Sequence, residues 1–459
     1  MKQTAYLALS AIVLLSSCKE LKDLRTDYTP DQTVPENLIG QVPLLPNLNG
    51  STSSLADLSW RNLFNDPRLE VLVDEALANN TDMRTSRLRV EEMEIALSTA
   101  KKAFLPSLSF SPQGSLTSFN SVENKTYSFP VTAQWQADIF GSLRNKRKQA
   151  EILRAQSQDM VQATQCMLVA NVANLYYQLL MLDEEVRVLT ETEAIRKESI
   201  STQQALMDAG IVTSAAVDQM KASYYSVQTQ KIDAETQITQ IENILCNLLA
   251  RTPQHISRGK ISDFVFPESV GLGVPSLLLS KRPDVRAAQR DIEHAFYLTN
   301  DAKSALYPQL TLSGTASWTD NGGVIVDPGR MLWSAVASLT QPIYAQGKIR
   351  ANIRLSEKQM EETKLAFVQT MLNAGKEVND ALVTCASARK KSDVLAEQVK
   401  ALDSAYNATK ELMLHGQGTY LEVLTAQESL LSSQLGMIAN EFSGIQSLIS
   451  LYIALGGGN

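Results

Sequence analysis

Residues 206–228 read LMDAGIVTSAAVDQMKASYYSVQ, and residues 412–434 read LMLHGQGTYLEVLTAQESLLSSQ. Identical residues recur in the two stretches, and their numbers differ by 206 throughout. The identical pairs include Leu206/Leu412, Met207/Met413, Gly210/Gly416, Thr213/Thr419, Val217/Val423, Ser223/Ser429 and Gln228/Gln434. Upstream, LPSLSFSP from Leu105 corresponds to YPQLTLSG from Tyr307, and a strand-like run ending at Phe140 corresponds to one ending at Tyr344. The chain is therefore predicted to contain two copies of a strand pair followed by a long helical hairpin.

The composition is that of a folded, helix-rich protein. Of the 459 residues, 44% are hydrophobic and only 6% are aromatic, and Ala, Leu, Gln, Glu and Ser together make up nearly half of the chain. The net charge of −7 gives no reason to expect nucleic acid as a partner.

The N-terminus has the pattern of a cleaved targeting segment. Lys2 precedes a short apolar run from Ala5 to Leu15, which is too short to span a bilayer, and Leu15-Ser16-Ser17-Cys18 follows. A signal peptide is predicted over 1–17, and Cys18 resembles the lipidated first residue of a bacterial lipoprotein. The alternative is an ordinary secretory signal with an unrelated cysteine. Residues 18–65, with four prolines from Pro30 to Pro46, are predicted to form an extended linker.

The residue types that carry catalysis or bind metals show no useful pattern. Cys166, Cys246 and Cys385 each lie within a helical pattern, and an odd number of thiols cannot all pair with one another. The three histidines lack metal-ligand spacing, and no nucleotide-binding or hydrolase motif is present. The sequence therefore predicts neither an enzyme nor a cofactor other than a lipid on Cys18.

Long helices are predicted between the other elements. A helical pattern begins at Asp66-Pro67, where Asp can cap the helix and Pro can occupy its first turn, and it runs to about Phe104 with a break near Asn79-Asn80. Apolar residues at alternating three- and four-residue steps indicate coiled-coil seams. In the first half the seam comprises Val161, Leu168, Val172, Leu175, Leu179, Leu182, Val186 and Leu189, and then Val217, Met220, Tyr224, Val227, Ala234, Ile238, Ile241, Leu245 and Leu248. Gly210 and Gly416 interrupt these patterns, so the chain is predicted to turn back at both.

In four segments the spacing of apolar residues changes from the helical pattern to every second residue, which is typical of a β-strand. In residues 127–137 and 309–318, apolar or small residues alternate with uncharged polar ones, and partner strands are predicted at about 105–118 and 331–344. Strands of about ten residues are long enough to cross hydrocarbon when tilted. A half-buried soluble sheet is the alternative interpretation. The Ser, Thr and Gln face, together with the lipoprotein-like signal, favours a membrane strand whose polar face lines a wet pore.

A sheet of four strands cannot close by itself. In hydrocarbon every backbone polar group needs a partner, and the smallest typical membrane barrels have about eight strands. Association of several copies is therefore expected, and the polar faces favour a ring wide enough to hold an aqueous lumen.

Several motifs, in this order, resemble those of the TolC-like outer-membrane efflux proteins, most closely the lipoprotein branch of the OprM or NodT type. They cover almost the whole chain beyond Cys18. They are Trp60 with residues 63–67 (LFNDP), Leu105-Pro106, WQADIFGSLR at 135–144, GVPSLL at 273–278, RPDV at 282–285, QPIY at 341–344, YLEVLTAQ at 420–427 and LYIALGGG at 451–458.

The resemblance implies a mainly α-helical fold with a membrane β-barrel. Each chain would supply four strands and two coiled-coil hairpins to a homotrimer with a twelve-stranded barrel and a twelve-helix periplasmic tunnel. It also implies a periplasmic adaptor (membrane fusion) protein and an inner-membrane pump of the resistance-nodulation-division class as partners. The channel would lie in the outer membrane among its lipids and would conduct small toxic compounds passively.

The same resemblance places the helical turns at the periplasmic tip, which opens when the adaptor engages. The candidate tip residues are Asp208, Gly210, Thr213, Gly416, Gly418, Thr419 and Tyr420. This chain departs from the family in having Leu412-Met413 where an Arg-Tyr pair often stands, and in lacking an acidic residue just after Gly416. Asp208 is then a candidate for the negative charge at the gate, with a solvated helix-end acid as the alternative.

The predicted organisation is a first repeat over 66–251, a connector over 252–280 and a second repeat over 281–459. Strands are expected at about 105–140 and 307–344, and helical hairpins at about 141–250 and 348–455. Two alternatives for function remain open from the sequence. One is an outer-membrane channel for type I protein secretion, and the other is a lipid-anchored periplasmic coiled-coil scaffold.

Overall fold

The computed structural model describes residues 26–29, 60–64, 66–119, 122–264, 281–320 and 331–457. The predicted signal peptide at 1–17, Cys18, most of the linker and residues 265–280 of the connector lie outside these described residues. The chain forms two compact units. The described residues of the first unit come from 26–29, 88–159 and 287–369, and those of the second come from 60–87, 160–286 and 370–457.

The described elements follow the order helices, strands, helical hairpin, twice over. The first half contains α1 (Trp60–Phe64), α2 (Pro67–Asn79), α3 (Thr81–Lys102), β1 (Ser107–Phe110), β2 (Gln113–Phe119), β3 (Val122–Ala137), α4 (Ser142–Asp208) and α5 (Ser214–Leu248). The second half contains α6 (Pro283–Ser304), β4 (Gln309–Asp320), β5 (Met331–Thr340), α7 (Lys348–Leu414) and α8 (Tyr420–Ala454). Within the described residues, no helix is both long and apolar enough to cross a membrane.

The internal repeat extends to the lengths of the helices. The first helix of each hairpin, α4 or α7, has 67 residues, and the second helix, α5 or α8, has 35. Their bounds differ by 206 residues throughout, as the identical sequence positions do. The helices that precede the strands, α3 and α6, have 22 residues each, and their bounds differ by 202. The second repeat therefore has four more residues between these two points, within its strand region.

The strands of the first unit form one antiparallel sheet in the order β1-β3-β4-β5, in which β2 also pairs with β3. The sequence predicted one strand over 105–118, whereas the structure splits it into β1 and β2. Phe110 lies opposite Val131 and Gln113 lies opposite Ser128, so the register continues unchanged across the break. The interruption falls at Pro112, which has no N–H to donate.

The remaining strands match the predicted segments more closely, with differences at two ends. β3 ends at Ala137, short of the predicted end at Phe140. β5 ends at Thr340, and the predicted continuation to Tyr344 is not strand. Ile343 is completely exposed there. At the start of the helical region, Asp66 caps α2 as predicted, because its carboxylate accepts a hydrogen bond from the Arg68 N–H at 2.8 Å.

The core of the second unit is built from the predicted coiled-coil seams. Every seam residue from Val161 to Leu189 is buried or half-buried, and so is every one from Val217 to Leu248. The largest fully buried side chains include Tyr176, Tyr177 and Leu382. Tyr176 donates a hydrogen bond to the Asp66 carboxylate at 2.6 Å, which ties the start of α2 to α4.

The described part of the connector is fixed to the same unit. Arg258 donates hydrogen bonds to Asp183 at 2.5 and 2.9 Å and also contacts Glu242. The Gly259 N–H donates to the Tyr176 hydroxyl at 3.3 Å. This segment has one 3₁₀ turn at Ile261–Asp263, and is irregular elsewhere, as predicted.

Candidate functional site

The register of the sheet aligns the apolar alternating positions of all its strands on one face. Val131 lies opposite Phe110 on one side and Ala316 on the other, and Ala316 lies opposite Trp333. The face includes Leu108, Phe110, Gly114, Leu116, Tyr127, Phe129, Val131, Ala133, Trp135, Ala137, Leu310, Leu312, Gly314, Ala316, Trp318, Met331, Trp333, Ala335, Ala337 and Leu339. Toward the turn between β2 and β3 the same side becomes polar, with Ser118, Glu123 and Lys125. We call it the apolar sheet face.

Many of these side chains are open to the surroundings of the single chain. Trp333 is 75% exposed, and Leu108, Phe110, Leu116 and Leu339 are each at least 60% exposed. A contiguous apolar patch on this scale is unusual for a soluble monomer and marks a surface that another molecule or a membrane covers.

The opposite face of the sheet is polar and almost uncharged. It carries mainly Ser, Thr and Gln side chains, and Thr132 and Thr315 share a hydrogen bond between their hydroxyls at 3.3 Å across the centre of the sheet. We call it the polar sheet face. Hydroxyl and amide groups keep water in contact with this surface, but they offer a charged solute no fixed counter-ion.

Both edges of the sheet are open in the single chain. Among the described residues, β5 pairs with β4 alone, and β1 and β2 pair with β3 alone. All residues of β1 and β5 are exposed. Such edges carry rows of backbone donors and acceptors that a neighbouring strand can satisfy.

The two predicted helical turns have the same backbone geometry. Gly210 and Gly416 lie at the ends of α4 and α7 with φ of +75° and +72°. The Ile211 N–H donates to the Leu206 carbonyl, and the Gln417 N–H donates to the Leu412 carbonyl, each at 2.9 Å. This pattern is the Schellman ending of a helix, in which glycine adopts the left-handed conformation.

The helices that leave the two turns begin differently. Thr213 and Thr419 are the equivalent N-cap residues, but only Thr419 makes a capping bond through its side chain. Its hydroxyl accepts from the Glu422 N–H at 3.4 Å, and the Glu422 carboxylate accepts from the Thr419 N–H at 3.1 Å. Glu422 is thus the acidic residue nearest the second turn on its C-terminal side, and it is engaged in the helix cap.

The other predicted tip residues have distinct surroundings. Asp208 is the last residue of α4, and its carboxylate accepts a solvent-exposed hydrogen bond from the Gln204 side chain at 3.1 Å. Gly418 is tightly packed, because a Cβ there would lie 3.1 Å from the Met413 nitrogen. Burial, aided by the charge of Glu428, raises the pKa of the Tyr420 phenol.

A buried arginine that the sequence analysis did not select lies near these residues. Arg196 on α4 is 3% exposed and donates to the Ser223 carbonyl on α5 at 2.7 Å and to its hydroxyl. The Ser223 hydroxyl donates to Glu428 on α8 at 3.2 Å. Burial lowers the pKa of the Arg196 guanidinium, while Glu428 opposes that effect. We call these three residues the Arg196 cluster.

The sequence does contain a signal for this cluster. Arg196 and Gln203 follow Leu189 at intervals of seven residues, so they continue the apolar seam with polar side chains. Both are buried, and within the described residues the Arg196 Nε and the Gln203 Oε1 have no hydrogen-bond partner. Gln203 also contacts the Met413 sulfur through its amide nitrogen at 3.9 Å. The seam therefore changes from apolar to polar as the helices approach the turns.

Lys231 is a second polar residue in a predicted seam. Its ammonium lies 3.1 Å from the Glu193 carboxylate, which also accepts from Gln228 at 2.9 Å and from Tyr224 at 3.4 Å. The hydrogen bond from Gln228 and that from Lys231 hold the pKa of Glu193 below its usual range. These contacts connect α4 to α5 at a point farther from the turns than the Arg196 cluster.

The described residues contain no group of three or more His, Cys, Asp or Glu side chains arranged to hold a metal ion. Cys166, Cys246 and Cys385 are free thiols, and the first two are buried. Cys18 lies outside the described residues, so its lipidation stays a prediction.

Comparison with known proteins gives consistent results across the chain. A family model described as "Outer membrane efflux protein" matches residues 72–251 and 274–457. The probable outer membrane lipoprotein SilC of Salmonella typhimurium is 26% identical over 464 residues, covering 98% of each chain. The toluene efflux pump outer membrane protein TtgC of Pseudomonas putida is 25% identical over 471 residues, covering 100% of this chain and 96% of TtgC. The solved structure of the outer-membrane channel OprN superposes with a TM-score of 0.85 at 21% identity, covering 94% of this chain and 99% of that one.

Proposed function

This chain belongs to the outer membrane efflux protein family and is an outer-membrane efflux channel, and from that premise we propose how its parts assemble and with what. The observation that carries the proposal is the amphiphilic sheet, with one continuous apolar face, one uncharged polar face and two open edges. A sheet with these properties is suited to a bilayer only when both edges are paired.

Three copies satisfy the open edges in a way that suits a channel. With β1 and β2 counted as one interrupted strand, four strands per chain give a twelve-stranded barrel, which is wide enough for an aqueous lumen. The apolar sheet face turns toward lipid and the polar sheet face lines the lumen. The helical hairpins of the three copies supply the twelve helices of a tunnel on the periplasmic side.

The two helical turns are proposed as the periplasmic tip. Asp208, Gly210 and Thr213 form the first turn, and Gly416, Gly418, Thr419 and Tyr420 form the second. An adaptor protein contacts this end, and a proton-driven pump of the resistance-nodulation-division class supplies substrate through it. Support for the adaptor and pump comes from family membership.

Small toxic organic compounds are the proposed substrates. The polar sheet face contains hydroxyls and amides rather than a ring of fixed charge, which suits passage of neutral or mixed solutes. TtgC, which is similar over the whole chain, is a toluene efflux pump component by its name. The channel performs no chemistry, and the pump provides the energy.

The domain organisation follows from this proposal. Residues 1–17 are a signal peptide, and Cys18 carries the lipid that anchors the linker. The linker predicted over 18–65 is shorter at its C-terminal end, because Trp60–Phe64 form the helix α1, whose Trp60, Leu63 and Phe64 side chains are buried in the core. The repeats at 66–251 and 281–459 flank the connector at 252–280. Labelling cells with a radioactive fatty acid tests the anchor: the wild-type chain incorporates label and the Cys18→Ser variant does not. Label retained in that variant would reject Cys18 as the acceptor.

Deletion of the gene, followed by measurement of accumulated toxic compounds, tests the transport role. Loss of the channel is expected to raise accumulation and lower the inhibitory concentration, and the wild-type gene restores both. Unchanged accumulation for every compound exported by the cognate pump would contradict the proposal.

Neighbouring residues on β4 offer a matched pair for the orientation of the sheet. Leu312 belongs to the apolar sheet face and Ser313 to the polar sheet face. Leu312→Arg places a charge toward lipid, which costs up to about 2–4 kcal/mol at the bilayer centre and less near the interfaces, so weaker insertion than that of the wild type is expected. Ser313→Arg places the same charge in the lumen, where insertion is retained and ion selectivity shifts toward anions. Equal insertion of both variants would contradict the orientation.

A further inference from the structure

We propose that β5 of one copy pairs antiparallel with β1 and β2 of the next copy in one defined register, which sets Val336 opposite Ser115 of that copy. This inference rests on the proposed function, because it specifies the joint by which the ring of copies closes. It is derived from the internal repeat, since the chain already contains one such joint between its own two repeats.

One contact beside the strands recurs in both repeats. The Trp135 indole N–H donates to the Phe104 carbonyl at 2.9 Å, and the Gln341 amide donates to the Leu306 carbonyl at 3.4 Å. Gln341 follows Trp135 by 206 residues, and Leu306 follows Phe104 by 202. The difference of 206 also relates the hairpin helices of the two repeats, and the difference of 202 relates the helices α3 and α6 that precede the strands.

The strand pairing within each repeat obeys the same relation. Ser107 lies opposite Gln134 in the first repeat, and Gln309 lies opposite Thr340 in the second. Gln309 follows Ser107 by 202 residues, and Thr340 follows Gln134 by 206. The last strand of each repeat therefore stands in the same register against the first strand of that repeat.

The joint between the repeats can then be transferred to the open edges. Inside the chain, β3 is the last strand of the first repeat and pairs with β4, the first strand of the second repeat. In this pair Pro130 lies opposite Ser317. The residue 206 positions after Pro130 is Val336, and the residue 202 positions before Ser317 is Ser115. Equivalent joints around the ring thus place Val336 of one copy opposite Ser115 of the next.

The backbone hydrogen bonds agree with this register. The Ser111 N–H donates to the Pro130 carbonyl, and bonding direction alternates along an antiparallel strand. The even-numbered residues of β2 and the odd-numbered residues of β5 therefore turn their backbone groups toward the open edges. The register pairs these two sets, for example Gly114 with Ala337.

The side chains agree as well. Leu116 comes to lie opposite Ala335, so the apolar sheet face continues from one copy to the next. A slip by one residue would place apolar side chains opposite polar ones and would break this continuity. A slip by two residues would preserve both the faces and the backbone pattern, so the experiment must distinguish registers two residues apart.

Disulfide trapping provides that resolution. Val336 and Ser115 would form a pair without mutual backbone hydrogen bonds, in which side chains lie closest, whereas diagonal positions are about 7–8 Å apart. The full-length chain, with Cys166, Cys246 and Cys385 replaced by serine, receives Val336→Cys and Ser115→Cys and is oxidised in isolated outer membranes. The matched controls combine Val336→Cys with Gln113→Cys or with Thr117→Cys.

The in-register pair is expected to give covalent trimer as the main product on non-reducing gels, and each control at most about a tenth as much. A second in-register pair, Ser338→Cys with Gln113→Cys, is also expected to give covalent trimer. It keeps the test valid if the Val336→Cys, Ser115→Cys variant fails to fold. Preferential crosslinking of a control pair would overturn the register while leaving the ring intact. Absence of crosslinks from all pairs in membranes that contain folded protein would overturn both the register and the proposed ring.

Discussion

The guanidinium of Arg196 and the carbonyl oxygen of Ser223 are joined by a buried hydrogen bond of 2.7 Å. The bond connects α4 to α5, and the Ser223 hydroxyl extends the connection to Glu428 on α8. One buried cation thus links both helices of the first hairpin to the second helix of the other hairpin. The Arg196 contact lies next to the turns. Movement of the hairpins at this end would therefore disturb it.

Replacement of this cation should loosen the second unit near its turns. Arg196→Met retains most of the side-chain volume but removes the donors, and hydrogen bonds to charged groups contribute about 1.5–3 kcal/mol each. We expect a lower unfolding midpoint in detergent and a larger or more frequently open channel in planar bilayers.

Glu428→Gln is the matched control for Arg196→Met. The glutamine oxygen still accepts the hydrogen bond from Ser223, so only the charge is lost and a smaller change is expected. If Arg196→Met leaves both stability and conductance unchanged, the Arg196 cluster does not restrain the hairpins.

The glycines at the turns should be sensitive to backbone conformation rather than to space. A Cβ at Gly210 or Gly416 would meet no atom within 4 Å, but both residues have positive φ. Gly416→Ala is expected to destabilise the chain by about 1 kcal/mol, because alanine is strained in the left-handed region. Chemical unfolding of the detergent-solubilised protein measures the difference.

Gly436 in α8 is the control glycine. It too has open space around a Cβ, but it lies inside a helix and its φ is not positive. Gly436→Ala is expected to stabilise the protein by about 0.5–1 kcal/mol, since alanine is the better helix former. The same sign of effect at both positions would contradict the backbone explanation.

Glu441 on α8 should make stability depend on pH. Burial, with the nearby charge of Glu184, raises the pKa of Glu441 in the folded chain. Ionisation is therefore more costly in the folded chain than in the unfolded one, and stability is lost as pH rises from the unfolded pKa through the raised folded value.

Glu441→Gln removes this cost. We expect a higher unfolding midpoint than wild type at pH 7, and a difference that disappears at a pH below the unfolded pKa, where the carboxyl is protonated in both states. Thermal unfolding of both proteins across this pH range is the measurement. A variant less stable than wild type at pH 7 would show that the ionised carboxylate makes a favourable contact.

Asp208 is the candidate for negative charge at the first turn. Asp208→Asn keeps the size of the side chain and its hydrogen-bonding oxygen while removing the charge. If three copies of Asp208 face the opening, cation selectivity in planar bilayers should fall. The control is Glu411→Gln, because Glu411 is an acid of α7 near the second turn that was not predicted to gate. Unchanged selectivity for Asp208→Asn would assign the residue to a solvated helix end.

Much of the fold could be predicted because it depends on local signals. The matching stretches around Gly210 and Gly416 predicted both turns, and the structure confirms each through the same Schellman ending. Alternation over residues 309–318 predicted β4 and its two faces. The seam through Leu179 and Leu182 predicted which side of α4 is buried.

The missed features depend on contacts between distant parts of the chain. Arg196 is a common solvent-exposed residue type, and only its seven-residue spacing from Leu189 indicated burial. Its partners, Ser223 and Glu428, are set by the packing of three helices. The division of the first strand at Pro112 was also missed, although proline cannot donate a ladder hydrogen bond. Residue type alone did not indicate that the register would continue beyond it.

A single chain holds four strands of a barrel that only further copies can close. The decisive measurement is the native mass of the protein released from outer membranes in mild detergent. We predict one species with the mass of three processed chains. A stable monomer, with its sheet folded and functional in the bilayer, would contradict it.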